Sequence, residues 1–213
     1  MKLLGLVSTC CLVGAVVMSA KGQQTPPPPM PSRQAAAQPQ QPPAPLPTPV
    51  AEVQKMFNAI KTNITKAADQ FPEDKYDWSP TPDVRTWGGL LSHIADDNNG
   101  SCFALSGDAP PRPANLDADG KPTEAGKGLK KADINRLLAE SFARCDKAFA
   151  AVTPENMLDR AAPTSSRSKI GALIYDTQHI SEHYGNIVTY MRLQHMVPPS
   201  TADRTTGRGR GGN

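Results

Sequence analysis

The sequence predicts an all-α fold, a four-helix bundle with a long crossover between its second and third helices. Three observations predict it. Between about Pro49 and Met196, apolar residues recur at three- and four-residue spacing in four separate runs, which is the signature of amphipathic helices. Proline, glycine and polar clusters punctuate these runs. No stretch alternates convincingly with the period of a strand, and no internal repeat is visible.

The first helix is expected from Pro49 to Gln70, with Thr48 as its cap and Val50, Val53, Phe57, Ile60 and Ile64 on one face. Phe71-Pro72 ends it. A loop held by Pro72, Pro80 and Pro82 follows, with Tyr76 and Trp78 expected to pack over the bundle. The second helix is read from about Val84 to Leu105, along Trp87, Leu91, Ile94, Asn98 and Cys102, and Gly107 is its expected terminator. Residues 106–128 carry no periodicity. A connection of that length can run the height of a bundle, so helices two and three can lie parallel. The third helix spans about Lys131 to Val152, with Ile134, Leu138, Phe142, Cys145 and Phe149 inward. The fourth runs from about Ile170 to Met196, capped from Thr164-Ser165-Ser166, with Ile170, Leu173, Ile174, Thr177, Tyr184, Ile187, Val188 and Met191 on its apolar face.

The ends of the 213-residue chain have a different character. Residues 1–22 combine an early lysine, an apolar run to about Met18 and small residues after it, the pattern of a secretory signal peptide. The alternative is an uncut membrane anchor, for which the run is slightly short. Residues 23–48 are almost entirely Pro, Gln, Ala and Ser and form an expected disordered, semi-rigid linker. Residues 200–213 read as a disordered Gly/Arg tail. The four-helix domain is thus residues 49–199. A net charge of +3 is too small to argue for a nucleic-acid partner. No membrane span is expected once the leader is cleaved, and a homodimer is compatible with the sequence. Localisation is expected to be periplasmic or extracellular. Export would permit a disulfide between Cys102 and Cys145, although both fall on apolar helix faces and two buried thiols fit equally well.

Chemistry concentrates in the histidines, of which there are four. His179 and His183 stand one turn apart on the same side of the fourth helix, the spacing at which two imidazoles grip one divalent cation. On a helical projection they fall to one side of the apolar centre, at the rim of the core. His93 lies at a similar offset on the second helix, with Asp97 one turn further on. Two packed helices could bring the three rings to one groove. Asp97, Glu182 and Asn186 are candidates for the layer behind the ligands or for the pocket wall. Tyr190 and His195 are read as structural, the latter because it lies roughly 18 Å along the axis from His183. No phosphate loop, dinucleotide-binding glycine fingerprint, nucleophile elbow or CxxC pair is present.

The stretch from Trp78 through Trp87-Gly88-Gly89-Leu90-Leu91-Ser92-His93 to Ala95 resembles the second-helix signature of the DinB-like family. His179-Ile180-Ser181-Glu182-His183-Tyr184-Gly185-Asn186 resembles its last-helix signature, and Tyr190-Met191-Arg192 with Pro198-Pro199 resembles its usual ending. The resemblance covers about Val50 to Pro199. It implies an up-down-down-up bundle and a metal triad of His93, His179 and His183. Zinc is the first expectation for the ion, and nickel, iron and manganese are compatible with nitrogen ligands. Some relatives are thiol-dependent transferases, but an oxidising compartment suits a reduced thiol cosubstrate poorly. The expected function is therefore an exported protein binding one divalent metal, a metal-dependent hydrolase or transferase acting on an unidentified small molecule. The alternative is a non-catalytic metal-binding or stress-associated module.

Overall fold

In a computed structural model of the protein, residues 45–108, 126 and 128–205 are described. The expected signal peptide, residues 23–44 of the linker, the tail from residue 206 and most of the connection between the second and third helices lie outside these residues.

Helix α1 (Pro49–Gln70) starts where its cap places it: Thr48 Oγ1 accepts the Ala51 N–H at 3.2 Å and Pro49 opens the first turn. Phe71, just beyond its end, is fully buried and stacks on the Trp87 indole with ring centroids 3.7 Å apart. The following segment holds one short 3-10 turn (Glu73–Lys75) and presents two carbonyls to the next helix. The Trp87 N–H donates to the Trp78 carbonyl (2.9 Å) and the Gly88 N–H to the Tyr76 carbonyl (2.8 Å). Tyr76 is buried and Trp78 half-buried, so both pack on the bundle as the sequence suggested.

Helix α2 (Trp87–Ser106) begins three residues later than expected. Thr86 caps it, accepting the Gly89 N–H at 3.0 Å, and Val84 is left 43% exposed. Gly107, at φ 75°, ends it as predicted. Helix α3 (Lys131–Ala150) stops two residues early, although Val152 still reaches the core.

Helix α4 (Lys169–Leu193) differs at both ends from the sequence expectation. Its cap is Ser168, whose Oγ accepts the Gly171 N–H at 3.2 Å. The Thr164–Ser166 stretch belongs instead to a turn pinned by the Ala161 N–H to the Arg167 carbonyl, with Ser165 Oγ accepting the Arg167 N–H. At the other end His195 adopts φ 56°, a left-handed backbone. The Met196 N–H reaches back to the Met191 carbonyl (2.9 Å) and the His195 N–H to that of Arg192 (3.0 Å), a Schellman closure. His195 is exposed, so its structural part is played by backbone rather than by the ring. The inward stripe of α4 also runs through Ile180 and Asp176, and Ile174, expected inside, is 50% exposed. That rotation turns His183 inward. A fifth helix, α5 (Pro199–Thr205), occupies the start of what read as a tail. Tyr184 Oη donates to Ser200 Oγ (2.9 Å) and Lys66 pairs with Asp203 (2.9 Å), anchoring residues whose composition alone promised no order.

All the helices pack as one bundle, and no strand occurs among the described residues. Helix α2 contacts α3 and α4, while α1 contacts α3, α4 and α5. Phe57, Ile64, Leu91, Ile94, Ile134, Leu173, Ile180 and Ile187 are fully or nearly fully buried between them. Asn98 Nδ2 donates to Ser141 Oγ at 3.1 Å, and one turn further Cys102 is bonded to Cys145. The structure thus decides for a disulfide over two free thiols. The two Cα atoms are 5.0 Å apart and both residues are fully buried. No helix among the described residues is long and apolar enough to cross a membrane.

Two stability predictions follow from these contacts. The disulfide joins positions 43 residues apart, and its removal by Cys102→Ala with Cys145→Ala should lower unfolding free energy by about 2–4 kcal/mol in a denaturant titration. His195→Gly should relieve the left-handed backbone at little other cost, stabilising by about 1 kcal/mol and raising Tm by ~2–4 °C in a thermal melt.

Candidate metal centre

The centre is built by two helices contributing two residues each, both at i, i+4 spacing. Helix α2 supplies His93 and Asp97; α4 supplies His179 and His183. Their register is set on either side of the cluster. Tyr190 Oη donates to the Arg85 carbonyl (2.9 Å) just before α2, and beyond Asp97 the Asp176 carboxylate lies 3.7 Å from Sγ of Cys145, the residue bonded to Cys102 of α2. Between these two pins the rings of His93 and His183 lie 4.7 Å apart, centroid to centroid, those of His93 and His179 5.6 Å, and those of His179 and His183 4.6 Å.

One ligand-capable atom from each of His93, Asp97, His179 and His183 lies within 4.8 Å of every other. Asp97 Oδ2 is 2.9 Å from His93 Nε2 and 3.5 Å from His179 Nδ1. No N–H is aligned on it, however, and Oδ2 is a buried oxygen without a hydrogen-bond partner. His183 Nε2 sits 2.9 Å from His179 Nε2, so at most one proton can occupy the space between them. His179 turns Nδ1 toward Asp97 and Nε2 toward His183, so it can offer one of the two to an ion shared with the other three groups.

Electrostatics agrees. Burial, then the facing rings of His93 and His179, push the His183 pKa down to about 4, so that imidazole is neutral at pH 7 with a lone pair to offer. Nitrogen donors and one carboxylate oxygen at this spacing fit a small divalent cation. An orphaned buried oxygen at the focus is satisfied by such an ion. The residues present therefore fit a metal.

The sequence placed the three histidines together, and the structure brings them together. It also brings Asp97, expected behind the ligands or in the pocket wall, within reach of the same point, with Oδ2 beside His93 and His179. It also moves His183 from the rim toward the core, at 7% exposure. Asn186 is exposed, with its amide 3.5 Å from His183 Nδ1, where it can orient that ring. Glu182 is exposed on α4 and is not among the converging groups. Tyr190 serves in packing and in the Arg85 contact, and His195 lies outside the cluster.

Two further residues escaped the sequence reading. Asp176, one turn before His179, is fully buried, with Oδ2 3.7 Å from Cys145 Sγ and Oδ1 unpartnered. Burial raises its pKa to about 7 against a hydrogen bond from Ser101, with the Asp97 charge adding to the rise. The signal in the sequence was an acid on the inward stripe of α4, between Leu173 and Ile180. Tyr175 is the second: its ring stacks beside that of His179 at 5.9 Å and carries the Arg167 guanidinium on it at 4.0 Å.

A helical bundle that gathers three imidazoles and a carboxylate between two of its helices can hold a metal ion there. The DinB superfamily matches residues 56–187, more than half of the chain and including all four converging residues, and this protein belongs to that superfamily. No curated protein matches the chain.

The pKa of Asp176 carries a testable sign. Because its folded-state value is raised above that of the unfolded chain, the folded protein binds the extra proton between about pH 4 and 7, and stability falls as pH rises through that window. In metal-free protein, Asp176→Asn should flatten that slope and raise Tm at pH 7.5 by at least ~2 °C, measured by thermal melts across the pH series.

Proposed function

We propose that this protein holds one divalent metal ion, zinc by first expectation, through His93, His179 and His183 with Asp97 beside them, and acts on a small molecule at that ion. The observation that carries the reading is the focus of four donor atoms from α2 and α4, with a buried Asp97 oxygen left without a hydrogen bond at its centre. A bound dication would supply Lewis acidity and a water molecule acidified toward neutral pH. The chain's own contribution is position. The i, i+4 pairs fix the rings, the neutral His183 keeps its lone pair available, and the Asp97 carboxylate offsets one unit of the ion's charge.

Two features support a reactive site over a closed structural one. His93, Asp97 and His179 each keep part of their side chains exposed. A cavity lined by Ser101, Arg167 and Tyr175 adjoins His179 through the Tyr175 ring. The polar groups of that cavity stand on the far side of the Tyr175 ring from His179, within one side chain of the cluster, where a small substrate can be held for hydrolase or transferase chemistry. The helix order in this reading is up-down-down-up. Support comes from the end contacts, where Phe71, Trp87, Lys131 and Tyr190 gather at one end of the bundle, and from the matching steps of Asn98–Ser141 and Cys102–Cys145. Export from the cytoplasm completes it, supported by the leader-like residues 1–22 and by a disulfide of the kind that persists in oxidising compartments.

Elemental analysis of purified protein tests the centre. His179→Ala should remove most of the bound metal, while His195→Ala should leave the stoichiometry at one per chain. Undiminished metal in His179→Ala would discard the assignment.

A further inference from the structure

The cavity beside His179 has a chemistry of its own. It has a volume of about 250 Å³ and lies between α2, α4 and the 161–167 loop. At about 30 Å³ per water, that is room for roughly eight waters, the size of a small amino-acid derivative. Among the described residues, Arg167 is the one cationic residue lining it. Its guanidinium carbon lies 4.0 Å from the centroid of the Tyr175 ring, and no carboxylate among the described residues pairs with it.

A guanidinium held over an aromatic ring can still present its N–H groups in the fork geometry that grips a carboxylate with two parallel hydrogen bonds. Gly100 of α2 also lines the cavity. A Cβ built there meets nothing within 4 Å, so the helix carries glycine in its interior, at about 1 kcal/mol below alanine, where no steric contact demands it. The space that a side chain would fill is the cavity. Tyr175 links the two regions, its ring sharing a contact with Arg167 on one side and with His179 on the other.

We propose that this cavity binds a small organic carboxylate, of amino-acid size, with its anionic end forked to Arg167 and its remainder directed past Tyr175 toward the histidine cluster. A single cation matches a monoanion better than the dianion of a phosphate ester. The inference rests on the metal-site reading only for what the far end of the ligand meets; recognition of the carboxylate by Arg167 does not.

Calorimetric titration of the zinc-loaded full chain tests it, with N-acetylglycine as probe and N-acetylglycinamide and inorganic phosphate as comparisons. Saturable binding of N-acetylglycine is expected, at least tenfold tighter than either comparison. Arg167→Gln should weaken it at least tenfold. Gly100→Leu, which improves helix propensity while filling the space, should abolish it with helical content and zinc content unchanged. Equal binding of acid and amide, tighter binding of phosphate, no saturable binding, or indifference to Arg167→Gln would each overturn the proposal. The same titration on His93→Ala/His179→Ala protein without zinc separates the two readings. Binding there that still depends on Arg167 upholds the anion site whatever becomes of the metal. Affinity that vanishes with zinc and ignores Arg167→Gln would mean that the probe merely ligates the ion, and would overturn it.

Discussion

The register of α2 against α4 is the constraint from which the rest of the structure follows. A helix can slide along its neighbour in steps of a turn, and one such step of about 5.4 Å would part His93 and Asp97 from His179 and His183 altogether. The chain closes off that freedom from both directions. Near the start of α2, the Trp87 indole is stacked on Phe71 and the Arg85 carbonyl receives the Tyr190 hydroxyl. Near its end, Cys102 is covalently tied to α3, and Asp176 of α4 lies 3.7 Å from Sγ of Cys145 in that bridge. The histidine cluster lies between these fastenings, where the helices have least room to shift.

Such fastening bears on function because the cluster is a poor stabiliser in isolation. Three imidazoles facing one another and a buried carboxylate oxygen without a donor are unfavourable neighbours. Asp176, buried between the cluster and the disulfide, adds a second desolvated acid. A fold that maximised its own stability would fill this seam with leucine. The aromatic stack at one end and the disulfide at the other supply the rigidity that lets these groups stay together, and a cation at their focus would reverse the sign of the arrangement.

The arrangement of α4 shows how the seam opens to the outside. Its inward stripe passes from Leu173 through Ile180 to Ile187, while Tyr175 and His179 fall on the flank shared with the 161–167 loop. That loop is held by its own hydrogen bonds, including the Ala161 to Arg167 pairing, so Arg167 is presented from an ordered turn. The buried half of the helix fixes the histidines, and the flank places Tyr175 beside His179 with the loop's Arg167 over its ring.

Much of this was written in residue order. Spacing of apolar residues announced α1, α3 and most of α2 and α4; Thr48, Pro49 and Gly107 marked ends that the structure keeps; and the HxxxH pair with a same-side His93 foretold the cluster. These features are local, because helical periodicity, caps and i, i+4 geometry depend on the chain a turn or two away. What tertiary structure alone decided is everything that depends on a distant partner. Carbonyls of Tyr76 and Trp78 delay the start of α2, and the pinned turn around Arg167 moves the cap of α4 to Ser168. Tyr184 and Lys66 order α5 where composition suggested a tail. The union of Cys102 with Cys145, the entry of Asp97 among the histidines and the burial of Asp176 depend on how two helices are rotated about their axes. A rotation of some tens of degrees changes those neighbours while leaving the apolar pattern in the sequence the same, which is why packing, and not periodicity, determined them.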